Sequence, residues 1–232
     1  MIESLQNDWP AIALTLKLAF FTVIILLIIG LPLAWWLAKY KGILKPFFEA
    51  LIALPLVLPP TVLGFYLLTA FSPQSWMGKL WISMVGEQFV FSFSGILFGS
   101  IIYSLPFVVQ PMLAAFSQLA GQVQISASTL GIGRVRRFFF IILPMTKASI
   151  LSAATLGFAH TLGEFGLILM IGGNIPSETQ VVSIALFNHV ESLQYEDAHA
   201  LSLTLLVISV VSLTLLYKFN RSALPLGIGS DR

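Results

Sequence analysis

His160 and Glu164 are residues whose types and spacing could do chemistry, because they stand inside an otherwise uncharged, apolar stretch of the sequence. Side chains four residues apart share one face of a helix, so the spacing predicts a titratable pair. A carboxylate in an apolar segment is costly and usually faces a partner or a water-filled region. The pattern favours a gate or a helix brace over a binding group, and Gly163 and Gly166 would allow another helix to approach closely.

Motifs of soluble enzymes fail in this chain. Pro73 and Leu80 replace the first Gly and the Ser or Thr that a phosphate-binding loop needs. Gly131 and Gly133 match the first two glycines of a dinucleotide-binding fingerprint, but Arg136 stands where that fingerprint needs its third glycine. The three histidines lack a metal-ligand spacing, and the chain has no cysteine. The sequence therefore predicts no catalytic residue, no metal site and no cofactor bound by this chain.

The elements that must position these residues are membrane helices. The 232 residues are 57% hydrophobic and 9% charged, with a mean hydropathy of +0.94, whereas soluble domains carry about 25% charge. Five apolar stretches are long enough to cross a bilayer, at about 18–38, 50–71, 93–116, 148–170 and 198–217. Only helices or closed barrels satisfy the backbone there. We expect one all-α integral membrane domain over 1–232, and a net charge of +2 does not suggest nucleic acid.

Basic residues predict the orientation. With five spans, an external N-terminus and a cytoplasmic C-terminus, only Lys17 and Lys79 lie outside. The other ten basic residues then lie on the cytoplasmic side: Lys39, Lys41, Lys45, Arg134, Arg136, Arg137, Lys147, Lys218, Arg221 and Arg232. Two further segments, about 76–90 and 174–197, are expected to be external, the second with a short helix around 181–190.

Prolines predict a distortion in the second span. Pro55, Pro59 and Pro60 each remove a backbone N–H, and the freed carbonyl groups must be buried in protein or face water. We expect this span to bend beside a pathway, although a packing kink is the alternative for Pro55 alone. Pro106 and Pro111 predict a similar, less specific break in span three.

The segment 119–145 is the most informative stretch between spans. Small residues, a Gly turn and three arginines predict two short helices that dock a cytoplasmic partner, and a simple anchoring loop is the alternative. Gly131 followed after eleven residues by Leu143 and Pro144 resembles the cytoplasmic coupling motif of ABC importer permeases. The Glu-Ala-Ala start of that motif reads Ile-Ser-Ala here. The coupling candidates are Gln124, Ser126, Ala127, Thr129, Leu130, Gly131, Gly133, Arg134 and Pro144.

Two further blocks narrow the resemblance. LPLVLPPTVLG at 54–64 resembles the second-span signature of molybdate permeases. TLGEFG at 161–166, followed by GNIPSET at 173–179, resembles a segment shared by molybdate, tungstate and sulfate permeases. The match to this oxyanion permease family covers about 9–217. Candidates for the pathway and its gate are Pro55, Pro59, Pro60, Thr61, His160, Gly163, Glu164 and Gly166.

This resemblance implies a type I ABC importer in the inner (plasma) membrane. Two copies of the chain would form the pathway, a separate cytoplasmic ATPase dimer would bind ATP and Mg, and an external binding protein would deliver molybdate. The chain itself would not be an enzyme. Open alternatives are tungstate, sulfate or thiosulfate as the anion, and more remotely a self-sufficient secondary transporter or a membrane-embedded enzyme.

Overall fold

The computed structural model describes residues 6–129 and 133–223, and helices dominate these ranges. In chain order the helices are α1 (Trp9–Lys39), α2 (Lys45–Val57), α3 (Pro60–Ala70), α4 (Trp76–Val85), α5 (Phe93–Thr129), α6 (Arg134–Arg137), a π-helix (Phe138–Ile142), α7 (Leu143–Met145), α8 (Lys147–Leu162), α9 (Gly166–Gly172), α10 (Val182–Glu191) and α11 (Tyr195–Ala223). The all-α prediction is therefore confirmed for the described part of the chain, which holds no strand.

Three helices are long and apolar enough to cross a membrane: α1, α5 over Phe93–Leu119, and α11 over Tyr195–Leu215. Two bent pairs pass the same test when each is counted as one span. The pair α2 and α3 is bent by 107°, and the pair Phe138–Met145 and Lys147–Leu162 is bent by 66°. The described residues thus give three to five spans by length and composition.

The bend between α2 and α3 lies where the prolines predict it. Pro59 precedes the first residue of α3, Pro60, a position where the missing N–H costs no helical hydrogen bond. Pro55 lies inside the last turn of α2 without ending that helix. The predicted break in span three is wrong, because α5 continues through Pro106 and Pro111. Helix α5 packs against α1, α2, α8 and α9, and both prolines line a groove on its surface.

Helix α5 is the centre of the bundle. Every fourth residue along α5 is fully buried: Ile96, Ser100, Ser104, Val108, Met112 and Phe116. Side chains with this spacing form one continuous stripe that winds gradually around the helix. Four of the six are apolar, and the two serines interrupt the stripe in its middle. The stripe therefore places a polar layer inside the bundle.

Apolar clusters pack on both sides of this layer. One cluster contains Ile96 of α5 with Leu167 and Ile171 of α9, and the other contains Val108 and Met112 of α5. A third, smaller cluster joins α1, α10 and α11. In a soluble protein, burial of such side chains contributes about 25 cal/mol per Å² of apolar surface removed from water. In a bilayer, packing contacts and interhelical hydrogen bonds carry more of the stability.

Helix α10 confirms the short helix expected around 181–190, and it is tied to α1 at its far end. One ring nitrogen of His189, Nε2, lies 3.0 Å from Asp8 Oδ2, and the other, Nδ1, lies 2.8 Å from Gln194 Oε1. Both partners are acceptors, so the protonated ring donates to both. Burial lowers the pKa of His189, but the hydrogen bonds to Gln194 and Asp8 and the charges of Asp8 and Asp197 outweigh it and raise the pKa above 6.5.

The two short helices predicted for 119–145 are not both present as predicted. The first is a continuation of α5, which runs to Thr129, and residues 130–132 lie outside the described part of the chain. The second corresponds to α6, followed directly by the π-helix and α7. The stretch from 112 to 129 contains no proline, the residue that most strongly ends a helix.

Substitution of Gly64 tests the close packing of α3 against α9. A Cβ atom at this position would lie 2.6 Å from Met170 Cβ and 3.2 Å from the carbonyl oxygen of Leu167. We expect Gly64→Ala to destabilise the chain by about 1–3 kcal/mol, as overpacking does, and to lower the melting temperature in detergent by about 5 °C. Gly163→Ala is the control, since its Cβ would meet only the His160 carbonyl oxygen at 3.9 Å. Equal melting temperatures for the two variants would contradict this packing.

The contact between His189 and Asp8 predicts a pH-dependent stability. A raised pKa means that the stabilisation is fully present below about pH 6.5 and is lost as the pH rises through the folded-state pKa. We expect His189→Gln to lower the melting temperature by about 1–3 °C at the acidic end, with the difference from wild type vanishing in alkaline buffer. His199→Gln serves as a control for the loss of an exposed histidine. A difference that grows with pH would refute the assignment.

Candidate functional site

The chain leaves the helical conformation at the residues that the sequence marks as a gate. Helix α8 ends at Leu162, and α9 begins at Gly166, so Glu164 lies in a short break between them. The predicted pairing of His160 with Glu164 is wrong for this reason: spacing of four residues aligns side chains only within a continuous helix. The two side chains instead contact different serines of α5.

Glu164 joins three elements at this break. Its side chain is 4% exposed, and its Oε2 accepts a hydrogen bond from Ser100 of α5 at 2.8 Å. Its backbone carbonyl oxygen accepts a hydrogen bond from Ser183 of α10 at 2.6 Å. The other carboxyl oxygen, Oε1, is buried without a hydrogen-bond partner in the described part of the chain. Glu164 therefore links the α8–α9 break to both α5 and α10.

A second set of hydrogen bonds lies one turn away on α5. Thr161 donates to the Gly157 carbonyl oxygen at 2.9 Å, and its hydroxyl lies 3.1 Å from that of Ser104. Ser104 lies 2.9 Å from Nδ1 of His160. The His160 ring stacks on Phe107, with centroids 3.9 Å apart, and the ring of Tyr103 lies 4.8 Å away. These contacts give His160 a fixed orientation at a partly exposed position.

A groove opens beside this histidine between α2, α5 and α8. Its volume is about 330 Å³, and its lining residues are Leu56, Pro106, Phe107, Gln110, Pro111 and Leu156. A neighbouring cavity of about 340 Å³ also reaches Gln110. Gln110 is an exposed polar side chain within a span, where exposure to lipid would be unfavourable. Sequence reasoning missed it, although a glutamine between two prolines in an uncharged run is a usable signal.

Two of the four second-span candidates contact the α8–α9 region. Pro60 and Thr61 lie against Gly166, where an added Cβ would meet them at 3.4 and 3.2 Å. Pro59 is exposed at the bend, whereas Pro55 is buried in α2. Gly163 is exposed in the α8–α9 break. The structure thus brings Pro60, Thr61 and Gly166 together.

Of the coupling candidates, Gln124, Ser126, Ala127 and Thr129 lie on the last turns of α5. Leu130 and Gly131 lie outside the described residues. Gly133 is exposed before α6, which begins at Arg134, and Pro144 is exposed in α7. Within the described ranges, no group of three or more histidine and acidic residues is arranged to hold a metal ion.

Residues 30–224 match the family described as binding-protein-dependent transport system inner membrane component. The molybdenum transport system permease protein ModB of Azotobacter vinelandii is 45% identical over 216 residues, covering 93% of this chain and 96% of that protein. A probable sulfate transport system permease protein, cysT of Chlorella vulgaris, is 31% identical and covers 93% of this chain and 85% of its own length.

A solved structure shares the fold. A chain of the bacterial alginate ABC transporter, crystallised in complex with an alginate-bound periplasmic protein, superposes with a TM-score of 0.77 over 96% of this chain and 81% of its own length. Its sequence identity is 19%, so this likeness concerns the fold alone. The family model matches 195 of the 232 residues, which is well over half of the chain. The chain therefore belongs to the family of binding-protein-dependent transport system inner membrane components.

Proposed function

We propose that this chain is the permease subunit of an ATP-driven importer of molybdate. The observation that carries the proposal is the 45% identity to a molybdenum transport permease along nearly the full length of both chains. Sulfate is the second candidate, because a probable sulfate permease is 31% identical over a similar share of this chain. The two anions are both tetrahedral dianions, so the same kind of pathway suits either.

The pathway is proposed to run along the groove beside Gln110 and His160, closed on its other side by a second copy of the chain. Two features support this placement. Gln110 is exposed within an apolar span, and polar groups at that depth face water or protein. The sequence also has no Lys or Arg between Lys147 and Lys218. A pathway without a fixed cation cage holds an anion weakly enough to release it.

Membership of the family supports the following proposed partners. A separate ATPase dimer would bind ATP and Mg on the cytoplasmic side and contact the segment 119–145 of each copy, including Gly131. An external binding protein would deliver the anion. Because the ATPase would bind and hydrolyse ATP, this chain would need no catalytic site or cofactor of its own. Five spans in the inner membrane, with an external N-terminus and a cytoplasmic C-terminus, place ten basic residues on the ATPase side.

Alternating access is proposed to use the breaks in the helices. Closure of the ATPase dimer would draw the two 119–145 segments together and turn the pathway outward, and release of the nucleotide products would return it inward. The break between α8 and α9 connects to α5 through Glu164 and Ser100 and to α10 through Ser183. In this role Glu164 is a brace between moving elements. A carboxylate that contacted the anion would repel it.

Uptake of labelled molybdate tests the function. The experiment uses proteoliposomes that contain this chain with its ATPase and binding protein, and a large excess of unlabelled sulfate as competitor. We expect uptake that needs ATP and the ATPase and that resists sulfate, because the most similar relative cited above is a molybdenum permease.

The controls separate the alternatives. Uptake abolished by sulfate would move the substrate to sulfate and keep the importer. Uptake by this chain alone in an ion gradient would indicate a secondary transporter. Absence of uptake of either anion by an intact complex would refute the oxyanion assignment.

Substitutions at Glu164 and Ser100 test the bracing role. Glu164→Gln keeps an oxygen that accepts from Ser100, so we expect normal assembly and an apparent KM for the anion within about twofold of wild type. Ser100→Ala leaves the buried carboxyl without its donor, which costs about 1–3 kcal/mol. We expect a lower melting temperature for Ser100→Ala than for Glu164→Gln. A tenfold or larger rise in KM, about 1.4 kcal/mol, in a well-assembled Glu164→Gln complex would favour direct contact with the anion instead.

A further inference from the structure

The hydrogen bonds around His160 determine which ring nitrogen carries the proton. The Gly157 carbonyl oxygen can only accept, so Thr161 donates its single hydroxyl proton to it at 2.9 Å. A hydrogen bond across the 3.1 Å between the hydroxyls of Thr161 and Ser104 then requires Ser104 to donate. With that proton committed, Ser104 accepts at 2.9 Å from Nδ1–H of His160. The neutral ring is therefore the Nδ1–H tautomer.

This tautomer leaves Nε2 as the reactive side of the ring. None of the described residues forms a hydrogen bond to Nε2, and the side chain is partly exposed. Phe107, which stacks on the ring, also lines the groove that contains Gln110. In the neutral ring Nε2 carries a lone pair, which repels an anion, whereas protonated Nε2–H donates a hydrogen bond and adds a positive charge. The state of this one nitrogen decides whether the ring attracts an anion.

The surroundings of His160 include two other titratable groups. Tyr103 of α5 lies beside the ring, with centroids 4.8 Å apart, and Glu164 lies in the break after α8. Helices α1 and α11 also pack against α8. The charged residues of α1 are Lys17 and Lys39, and those of α11 include Glu196, Asp197 and Lys218. The face of Phe107, with ring centroids 3.9 Å apart, favours a cationic ring over a neutral one. A proton on Nε2 is thus supported by the ring faces and opposed by burial.

We infer that Nε2 of His160 contacts the transported tetrahedral oxyanion, and does so only when it is protonated, so that anion passage is linked to a proton on this residue. The inference rests on the proposed anion pathway. When the anion arrives, Nε2 takes a proton from hydronium in the groove, so that an O–H bond breaks as the N–H bond forms and water is left. When the anion leaves, the ring returns the proton to water, which breaks the N–H bond and forms hydronium again. A cation that exists only during occupancy holds a dianion in passing without a permanent charge in the spans.

The experiment has two arms on the assembled transporter. In the first arm, nitrogen-15 NMR of histidine-labelled complex distinguishes the two neutral tautomers and the imidazolium. The chain has three histidines, so comparison with His160→Gln assigns the signal. We expect the Nδ1–H tautomer in alkaline buffer and a larger imidazolium fraction when molybdate is added. An Nε2–H tautomer, or no change with molybdate, would overturn the inference without any use of the variant's activity.

The second arm measures ATP-dependent molybdate uptake between about pH 6 and pH 8, the range in which histidine titrates. His199→Gln is the matched control, because this exposed histidine lies outside the groove. We expect uptake by wild type and His199→Gln to fall as the pH rises, by up to about tenfold per pH unit. Uptake by His160→Gln, measured with the same partner proteins, should lose this component and stay low.

The outcomes separate the two proposals. A pH profile of His160→Gln that matches wild type would overturn the proton-linked contact and leave the importer intact. No uptake of any oxyanion at any pH, by a complex that assembles, would overturn the proposed function itself. A flat, low profile in His160→Gln together with the Nδ1–H tautomer in wild type would support the inference.

Discussion

A polar group in the core of a bilayer must find a partner inside the protein or face water, and this constraint governs the centre of the molecule. Two serines interrupt the buried stripe of α5, and each binds a residue of the α8–α9 region: Ser100 binds Glu164, and Ser104 contacts His160 and Thr161. Because these bonds form between helices, they set how α8 and its break sit on α5. The apolar clusters then pack above and below this layer.

The same constraint explains why the helices are interrupted where they are. Irregular backbone at membrane depth is stable only when it is buried in protein or lines a water-filled space. In the α8–α9 break, the Glu164 carbonyl oxygen is bonded by Ser183 of α10. Pro59 and Gly163, by contrast, are exposed at the two breaks. Breaks that are partly satisfied and partly open suit the hydrated pathway that we propose.

Much of the fold could be predicted from the sequence, because long apolar stretches and prolines have local consequences. The all-α class, the bend at Pro59 and Pro60, and the short helix at Val182–Glu191 follow from such signals. The separate placement of the His160 and Glu164 side chains could not be predicted. It depends on the end of α8 at Leu162 and on two serines that are distant in the chain: Ser104, which is 56 residues before His160, and Ser100, which is 64 residues before Glu164. The break predicted at Pro106 and Pro111 is absent because α5 continues through both prolines, and the sequence does not show whether a proline breaks a helix or is accommodated within it. Gln110 was missed because its exposure is a property of the packed bundle.

The central claim is that the groove beside Gln110 and His160 is a water-filled anion pathway in the assembled transporter. The chain has no cysteine, so a single cysteine can report water access without background from this chain. The measurement compares the reaction rate of a charged, membrane-impermeant thiol reagent with Gln110→Cys and with Leu206→Cys, on the exposed apolar face of α11, with and without ATP. The account predicts that Gln110→Cys reacts in at least one nucleotide state, that molybdate slows the reaction, and that Leu206→Cys stays unreactive. An unreactive Gln110→Cys in every nucleotide state would contradict it.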